Sequence, residues 1–352
     1  MRSKGFTRGS AALCILLVGM CLVSCSHNAA TTSGSQTVLI NGAGSTFGYP
    51  IYSRWADDFH KLHPNVEINY QSVGSGAGIR QLLAGTVDFG ASDAPMTDAE
   101  LAQSKSPVLH FPTVLGAVVP TYNIPGITAE LKFTPQALAG IFLGKITKWN
   151  DPAIARTNSG LKLPSATIVV IHRSDGSGTS FIWTDYLSKV SPDWKNKVGS
   201  GTSVNWPVGL GGKGSEGVTG LIQQTPNSIG YVELTYAIQN HILFGAVQNS
   251  SGEFVKASLE SVPAAAASAA HSMPKDFRVS ITNPSGKDAY PIASFTWLLV
   301  PAMIPDAAKR DDIKTFLHWM LTEGQNDAES LAYAKLPSNV SAKEDATISE
   351  IH

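Results

Sequence analysis

One arrangement recurs along this chain and restricts its fold more than any other feature: an apolar strand, a turn of glycine and hydroxyl residues, and then an amphipathic helix. The clearest copy has its strand at residues 167–171, its turn at 173–180 and its helix at 181–187. Two earlier copies begin at the strands 37–40 and 66–70. Strands that alternate with helices in this way form an open, mainly parallel sheet with helices on its faces. The sequence therefore predicts the α/β class.

The length of the chain and two long apolar runs indicate two lobes. At 352 residues the chain is long enough for about two domains, each with its own core. Residues 111–122 and 288–300 are apolar without a helical period, which predicts buried strands that cross between the lobes. Farther along, the sequence predicts a helix capped by Thr134 and two closing helices at 311–320 and 326–333.

The first 36 residues differ in kind from the rest of the chain. Residues 1–24 have a basic start and then an apolar run, which predicts a bacterial signal peptide. The order LVSC at its end resembles a lipobox, so Cys25 would be lipidated and become the first mature residue. Residues 25–36 are small and polar, which is typical of a flexible tether. The other two cysteines, Cys14 and Cys21, lie in the removed segment, so the mature chain has no internal disulfide and no cysteine metal cluster.

Removal of the signal peptide makes the chain mildly acidic. It takes away three basic residues and no acidic one, so the 26 basic residues fall to 23 against 27 acidic ones, and the formal net charge becomes −4. This balance argues against a nucleic acid as the partner. Because the field of the whole protein would not attract an anion, an anion site must depend on local dipoles and on one or two cations.

Small polar residues and one carboxylate follow the predicted strands, at the strand ends where ligands gather in open α/β sheets. The turn at 173–180 lies at a helix N-terminus, where unpaired N–H groups and the helix dipole attract anions. Within it, Arg173 adds a planar set of donors, and the glycines let the backbone approach a ligand closely. These strand ends predict an oxyanion pocket made of Ser45, Thr46, Phe47, Ser75, Asp93, Arg173, Ser177, Gly178 and Thr179.

Asp93 is the unusual member of this pocket. An ionised carboxylate only accepts hydrogen bonds, so it repels a fully deprotonated anion and favours one that still carries a proton. Phosphate keeps one or two protons near neutral pH, whereas sulfate keeps none. A buried acceptor that is left without a donor can cost enough for rejection by ~10⁴-fold.

A dinucleotide site is a weaker alternative. Residues 209–214 match the pattern G-x-G-x-x-G, and Glu233 follows about twenty residues later. The segment before this match makes a poor strand, because Pro207 cannot donate to a sheet. An exported protein would also have little NAD to bind.

A hydrolase and a metal site are two further alternatives with little support. Ser177 follows His172 by five residues, but Gly-Ser-Gly is not the Gly-x-Ser-x-Gly turn that presents a hydrolase nucleophile. His60 and His63 form a pair on a predicted helix without an acidic ligand nearby. The pair is therefore more typical of a solvated surface.

Six motifs that occur in order along the chain resemble a single family. They are GAGSTF (42–47), VDFGASDAP (87–95), IFLGKITKWND (141–151), RSDGSGTSF (173–181), GLGGKG (209–214) and IGYVE (229–233). They are similar to the PstS family, the phosphate-binding proteins of the phosphate-specific ABC transporter, and the similarity runs from about residue 38 to residue 337. One departure is Gly76, which stands where many relatives have a second serine.

The resemblance implies a type II periplasmic-binding-protein fold, in which two α/β lobes joined by two crossing strands close on a ligand. Lobe I would consist of residues 37–120 with 293–350, and lobe II of residues 121–292. The family further implies an exported, non-catalytic monomer without cofactor or metal, which delivers inorganic phosphate to ABC permease subunits. A receptor for another tetrahedral oxyanion such as sulfate, or a phosphate-ester hydrolase, remains an alternative.

The resemblance also gives each residue of the pocket a role. The backbone amides of Thr46 and Phe47, and the hydroxyls of Thr46 and Ser75, would donate to phosphate. Asp93 would accept the proton of the ligand, and Arg173 would supply the positive charge. The remaining donors would come from the helix terminus at Ser177, Gly178 and Thr179.

Overall fold

The recurring pattern folds as predicted, into strands that alternate with helices. The computed structural model describes residues 37–271 and 273–352, so the predicted signal peptide, the predicted lipidation site Cys25 and the predicted tether lie outside the described residues. The strands are β1 (Val38–Gly44), β2 (Val66–Ser72), β3 (Phe89–Ser92), β4 (Val108–Asn123), β5 (Lys132–Phe133), β6 (Val169–Arg173), β7 (Leu210–Gly212), β8 (Ser228–Glu233), β9 (Leu243–Phe244), β10 (Ala246–Gln248), β11 (Phe254–Val255) and β12 (Ala293–Pro301). The helices are α1 (Tyr49–Leu62), α2 (Ser75–Ala84), α3 (Asp98–Leu101), α4 (Pro135–Phe142), α5 (Pro152–Ala155), α6 (Gly178–Val190), α7 (Pro192–Lys197), α8 (Gly214–Gln224), α9 (Leu234–Gln239), α10 (Ser261–His271), α11 (Ala307–Leu321) and α12 (Ser338–Ile348).

The main sheet has two parallel parts. Its strand order is β2-β1-β3-β12-β4-β8-β6-β7, and β9 also pairs with β4. β1 is parallel to β2 and β3 at one end of the sheet, and β6 is parallel to β7 and β8 at the other. A small second sheet contains β11, β10 and β5. The carboxyl ends of parallel strands lie at one edge of each part, which is where the sequence predicted a pocket.

Two antiparallel strands, β4 and β12, connect the parallel parts. β12 pairs with β3 on one side and with residues 108–117 of β4 on the other. Residues 118–123 of β4 pair with β8 instead. The strand predicted at 111–122 is thus confirmed. The strand predicted at 288–300 is confirmed only in part, because residues 288–292 precede β12.

Two helices that matter for the site begin earlier than the sequence predicts, which places their starts at Ile79 and Phe181. α2 begins at Ser75 and α6 at Gly178, so the turns 75–78 and 178–180 belong to helices. Ser177 is the N-cap of α6. Ser75, Gly178 and Thr179 therefore lie in first helical turns, where N–H groups have no acceptor within the helix.

The closing helix predicted at 326–333 is wrong. The chain there forms two short 3₁₀ turns, Glu323–Asp327 and Glu329–Leu331. Tertiary hydrogen bonds determine this path, because Ala334 and Leu115 of β4 exchange two backbone bonds of 2.8 and 3.0 Å. The apolar spacing in this segment reflects burial and not a helix.

The C-terminal helix α12 has no counterpart among the predicted elements. It buries only Val340, Glu344 and Ile348, and the other positions are polar or small. Its apolar periodicity is therefore weak. Within residues 37–271 and 273–352, no helix is both long enough and apolar enough to cross a membrane.

Thr134→Ala is expected to lower the free energy of unfolding by about 1 kcal/mol, because it removes an N-cap. The Thr134 hydroxyl accepts a hydrogen bond from the N–H of Ala137 at 3.1 Å, which confirms the predicted cap of α4. Urea unfolding measures the change. Gln136→Ala, at an exposed position in the same turn, is the control and should change the free energy by less than about 0.5 kcal/mol. Equal values for both variants would contradict the capping role.

Candidate functional site

The ends of β1 and β3 place Ser45 and Asp93 side by side. The strands are parallel neighbours with Gly44 opposite Ala91, and the N–H of Ser45 donates to the Ala91 carbonyl at 2.9 Å. Gly44 has a φ of 146°, and an added Cβ would collide with that carbonyl, so only glycine is accommodated where the strand ends. Both Ser45 and Asp93 are buried.

The two carboxylate oxygens of Asp93 have different surroundings. Oδ1 accepts hydrogen bonds from the hydroxyls of Ser45 and Thr296, the latter at 2.8 Å. Oδ2 has one distant donor, the Ser75 hydroxyl at 3.4 Å. Burial raises the pKa of Asp93 to about 6, and the three hydroxyls and the charge of Arg173 oppose this rise. Oδ2 is therefore the oxygen with acceptor capacity to spare.

Two helix N-termini meet at Oδ2 of Asp93. A Cβ added to Gly178, the first residue of α6, would lie 2.5 Å from Asp93 Oδ2 and from Ser75 Oγ, which begins α2. Beside this contact, the N–H of Gly76 donates to the carbonyl of Gly176 at 2.9 Å. Each terminus has partial positive charge, so both favour a negative group between them.

The start of α6 has donors that are not used. The Ser177 hydroxyl accepts from the N–H of Ser180 at 3.1 Å, and the N–H of Ser177 donates to the Thr202 carbonyl at 2.8 Å. The N–H groups of Gly178 and Thr179 have no acceptor within the helix. The Thr179 hydroxyl is buried and has no hydrogen-bond partner among the described residues. Because this hydroxyl lies in the first turn of α6, beside the N–H groups of Gly178 and Thr179, it can donate to a bound anion together with them.

The turn after β1 has two more unused donors. Its own hydrogen bonds engage the N–H of Ser45 and the N–H of Gly48, which donates to Ser45 Oγ at 2.9 Å. The N–H groups of Thr46 and Phe47 have no acceptor among the described residues. The Thr46 carbonyl is held from behind by the Tyr236 hydroxyl at 2.7 Å. The turn is therefore held by hydrogen bonds on both sides, and Thr46 and Phe47 are buried.

Arg173 is held by a paired carboxylate. Its Nε and Nη2 donate to Oδ1 and Oδ2 of Asp175 at 2.8 and 2.6 Å. Its Nη1 lies 3.5 Å from Ser215 Oγ, which is 2.8 Å from the hydroxyl oxygen of Thr46. Burial would raise the pKa of Asp175, but Arg173 and the N–H of Gly214 outweigh it and keep this pKa below its usual value. Asp175 stays ionised and orients the guanidinium, whose Nη1 has no bond shorter than 3.5 Å to any residue that the structure describes.

The structure brings all the predicted site residues together in one buried cluster. It links Asp93 to Ser45, Ser75 and Gly178, and it links Arg173 to Thr46 through Ser215. The cluster consists of N–H and O–H donors, one guanidinium and one carboxylate acceptor. Such an arrangement suits a small oxyanion that brings at least one proton of its own. The predicted members are Ser45, Thr46, Phe47, Ser75, Asp93, Arg173, Ser177, Gly178 and Thr179.

Sequence reasoning missed four residues that support this cluster: Asp175, Ser215, Tyr236 and Thr296. Asp175 lies within the predicted turn, and its spacing of two from Arg173 was a usable signal. Ser215 lies in the first turn of α8 after the glycine-rich strand β7, and the sequence before it did not predict a strand. Tyr236 and Thr296 lie far away along the chain and carry no local signal.

The residues that suggested a hydrolase or a metal site have structural roles instead. The ring of His172 stacks on Trp206 with centroids 4.8 Å apart, while the Ser177 hydroxyl caps α6. His60 Nδ1 lies 2.7 Å from the carbonyl of Val66. Within the part of the chain that the structure describes, no three His, Cys, Asp or Glu side chains are close enough to hold a metal ion.

The dinucleotide alternative also lacks its expected geometry. The glycines at 209–214 do not follow a strand, because β7 (Leu210–Gly212) lies within them. Glu233 is buried and is the N-cap of α9, where its Oε2 accepts from the N–H of Thr235 at 2.7 Å. It is therefore not available to bind a ribose.

Comparison with known proteins shows which family this chain resembles. A model of the PBP superfamily domain matches residues 30–323. The phosphate-binding protein PstS of Xylella fastidiosa (strain Temecula1) is 49% identical over 307 residues, which cover 87% of this chain and 84% of the relative. PstS of Methanocaldococcus jannaschii is 38% identical over an alignment of 373 residues, with 95% of each chain covered.

Solved structures share the fold at lower sequence identity. A phosphate-binding protein from Stenotrophomonas maltophilia has a TM-score of 0.67 at 19% identity and covers 88% of this chain and 94% of its own. A high-affinity periplasmic phosphate-binding protein that was solved with phosphate has a TM-score of 0.70 at 21% identity, with 88% and 93% covered. The architecture is that of a type II periplasmic binding protein, and the chain belongs to the PstS family of phosphate-binding proteins.

Proposed function

We propose that this protein captures inorganic phosphate outside the cytoplasmic membrane and delivers it to an ABC permease for import. The observation that carries the proposal is Asp93, a buried acceptor that faces two helix N-termini within a cluster made otherwise of donors. Phosphate near neutral pH has oxygens that accept from those donors and a proton that Asp93 can accept. The relatives named phosphate-binding protein PstS support the same ligand.

Local hydrogen bonds and not net charge would hold the anion. Arg173 is the positive side chain of the cluster, and Asp175 and Asp93 more than balance it. The attraction must therefore come from the helix termini and from the unused N–H groups at Thr46 and Gly178. Because such donors are directional, they select an anion by its shape and by its protons.

Opening and closing of two lobes would explain how the ligand is bound and then released. We assign residues 37–120 with 293–350 to lobe I and residues 121–292 to lobe II, with β4 and β12 as the segments between them. On this division Asp93 belongs to lobe I and Arg173 to lobe II. Opening of the lobes would then separate the two sets of ligand groups, as delivery to a permease requires.

The protein would act near the membrane surface. We infer that residues 1–24 direct export, that Cys25 is lipidated, and that residues 25–36 tether a monomeric domain to the membrane; the LVSC order supports this assignment. Incorporation of labelled palmitate into the wild-type protein but not into Cys25→Ser would be the expected result. Labelling of both, or of neither, would contradict the anchor.

We further infer that the protein binds phosphate without a catalytic step. The Ser177 hydroxyl is engaged as the N-cap of α6, and the ring of His172 stacks on Trp206. Neither side chain therefore has the partner that nucleophilic catalysis would need. Release of phosphate from a generic phosphate monoester by the purified protein would overturn this inference.

Calorimetric titration of the mature chain with phosphate, arsenate and sulfate tests the proposed function. We expect one phosphate per chain and sulfate binding that is weaker by ~10⁴-fold above the pKa of Asp93, because ionised Asp93 would face an anion without a proton. Sulfate binding as tight as phosphate binding would instead indicate a receptor for another tetrahedral oxyanion.

A further inference from the structure

Thr296, on the central strand β12, contacts one of the two carboxylate oxygens of Asp93. The Thr296 hydroxyl donates to Asp93 Oδ1 at 2.8 Å, and the Ser45 hydroxyl donates to the same oxygen. Two donors thus occupy Oδ1. Oδ2 faces Gly178, and its only hydrogen-bond donor among the described residues is Ser75 at 3.4 Å, so it keeps its lone pairs for a ligand.

An irregularity between β4 and β12 lies at Thr296. The register of the two strands shifts between Thr296 and Trp297, which leaves Thr113 as the extra residue of a β-bulge. Bulges bend a strand and redirect its side chains. The Thr113 carbonyl accepts a hydrogen bond from Gln325 Nε2 at 2.9 Å, which stabilises the bulge.

Three hydroxyls form a chain that ends at Asp93. The Tyr52 hydroxyl oxygen lies 3.0 Å from Thr113 Oγ1 and 3.1 Å from Thr296 Oγ1. The Thr296 proton goes to Asp93, and the Thr113 hydroxyl donates to the Thr296 carbonyl at 3.1 Å. The Tyr52 proton is therefore donated to one of the two threonine oxygens, since each hydroxyl has one proton. In the contact between Tyr52 and Thr296, Tyr52 is thus the donor, and that bond is directed toward the carboxylate.

We propose that Thr296, supported by Tyr52 and Thr113, is a positioning residue that keeps Asp93 an ionised acceptor and so determines the pH below which the site begins to accept sulfate. This inference rests on the proposed function. A hydroxyl that donates to a carboxylate favours its charged form. Without that donor, Asp93 takes up a proton at higher pH, and a protonated Asp93 donates to a sulfate oxygen instead of repelling it.

Among the described residues, the other titratable groups near Asp93 are Arg173 with its partner Asp175, Glu233, Tyr52 and Tyr70. Burial raises the pKa of Asp93 to about 6, and the charge of Arg173 opposes that rise. Burial also raises the pKa values of Glu233, Tyr52 and Tyr70, which disfavours their ionised forms. Asp93 therefore depends on one cation and on its hydroxyl donors for stabilisation as an anion.

Thr296→Val tests the inference, because valine keeps the branched shape and removes the donor. Sulfate stays fully ionised across the neutral range, so the pH dependence of its binding reports on the protein alone. For the wild type, we expect sulfate binding to strengthen as the pH falls through about 6. In Thr296→Val, the midpoint should lie about one to two pH units higher, which is the effect of one lost hydrogen bond to a charged group. Calorimetric titrations with sulfate at a series of pH values measure it.

Three further variants separate this role from a structural one. Thr296→Ser keeps the hydroxyl and should return the midpoint to the wild-type value. Thr121→Val is the matched control, because Thr121 is buried on β4 and its hydroxyl has no partner among the described residues. Its midpoint should not move. If circular dichroism shows that Thr296→Val is unfolded, Tyr52→Phe removes the supporting hydroxyl and should raise the midpoint by a smaller amount.

The outcomes distinguish a failure of the role given to Thr296 from a failure of the proposed function. A folded Thr296→Val with the wild-type midpoint would overturn the inference, as would an unmoved midpoint in Tyr52→Phe if only that variant folds. In either case phosphate binding by the wild type would still support the proposed function. Failure of the wild type to bind phosphate would overturn the proposed function itself.

Discussion

Gly178→Ala is expected to weaken phosphate binding by about 100-fold or more, because two charge-assisted hydrogen bonds at about 1.5 kcal/mol each are lost. An added Cβ would lie 2.5 Å from Asp93 Oδ2 and from Ser75 Oγ, which is closer than real Cβ contacts allow. The backbone of Gly178 is outside the left-handed region, so alanine introduces no strain of its own. The start of α6 must therefore move away from Asp93, and its N–H donors move with it.

Calorimetric titration with phosphate measures this loss, and thermal unfolding checks that the variant is folded. Gly220→Ala is the matched control, since Gly220 is also helical and an added Cβ there has open space within 4 Å. The control is expected to bind phosphate as the wild type does. Wild-type affinity in Gly178→Ala would show that the N-terminus of α6 does not contribute donors to the ligand.

The local part of the site could be predicted because one short pattern places it. Each copy of strand, glycine turn and helix ends a parallel strand at the same edge of its part of the sheet. Ser75, Asp93 and Gly178 each follow such a strand, and the structure brings their atoms into contact. The spacing of residues within each turn was therefore enough to identify them, although not to give the helix starts.

The supporting part of the site could not be predicted, because it depends on tertiary register. Thr296 reaches Asp93 because β12 pairs antiparallel with β3, with Trp297 opposite Ser92, and nothing in the sequence around 296 indicates that pairing. Tyr236 holds the Thr46 carbonyl from 190 residues away. The same cause explains the error at 326–333, where pairing of Ala334 with Leu115 replaces a helix.

Asp93→Asn is expected to lower the preference for phosphate over sulfate by about 10⁴-fold, since the site changes from an acceptor to a donor at one buried atom. Ser45 and Thr296 both donate to Oδ1, so the carbonyl oxygen of the introduced amide takes that place. Its NH₂ group then takes the place of Oδ2 and faces Gly178. A donor there binds a sulfate oxygen and leaves the proton of phosphate without an acceptor.

Arg173→Lys is the comparison variant for Asp93→Asn, because it keeps the positive charge and loses the paired bonds to Asp175. Both anions should bind it more weakly, and their ratio should change by less than about tenfold, since no acceptor becomes a donor. Titrations with both anions about two pH units above the pKa of Asp93 keep that carboxylate ionised in the reference protein. Equal changes of the ratio in the two variants would contradict the role given to Asp93, whereas a change confined to Asp93→Asn would support it.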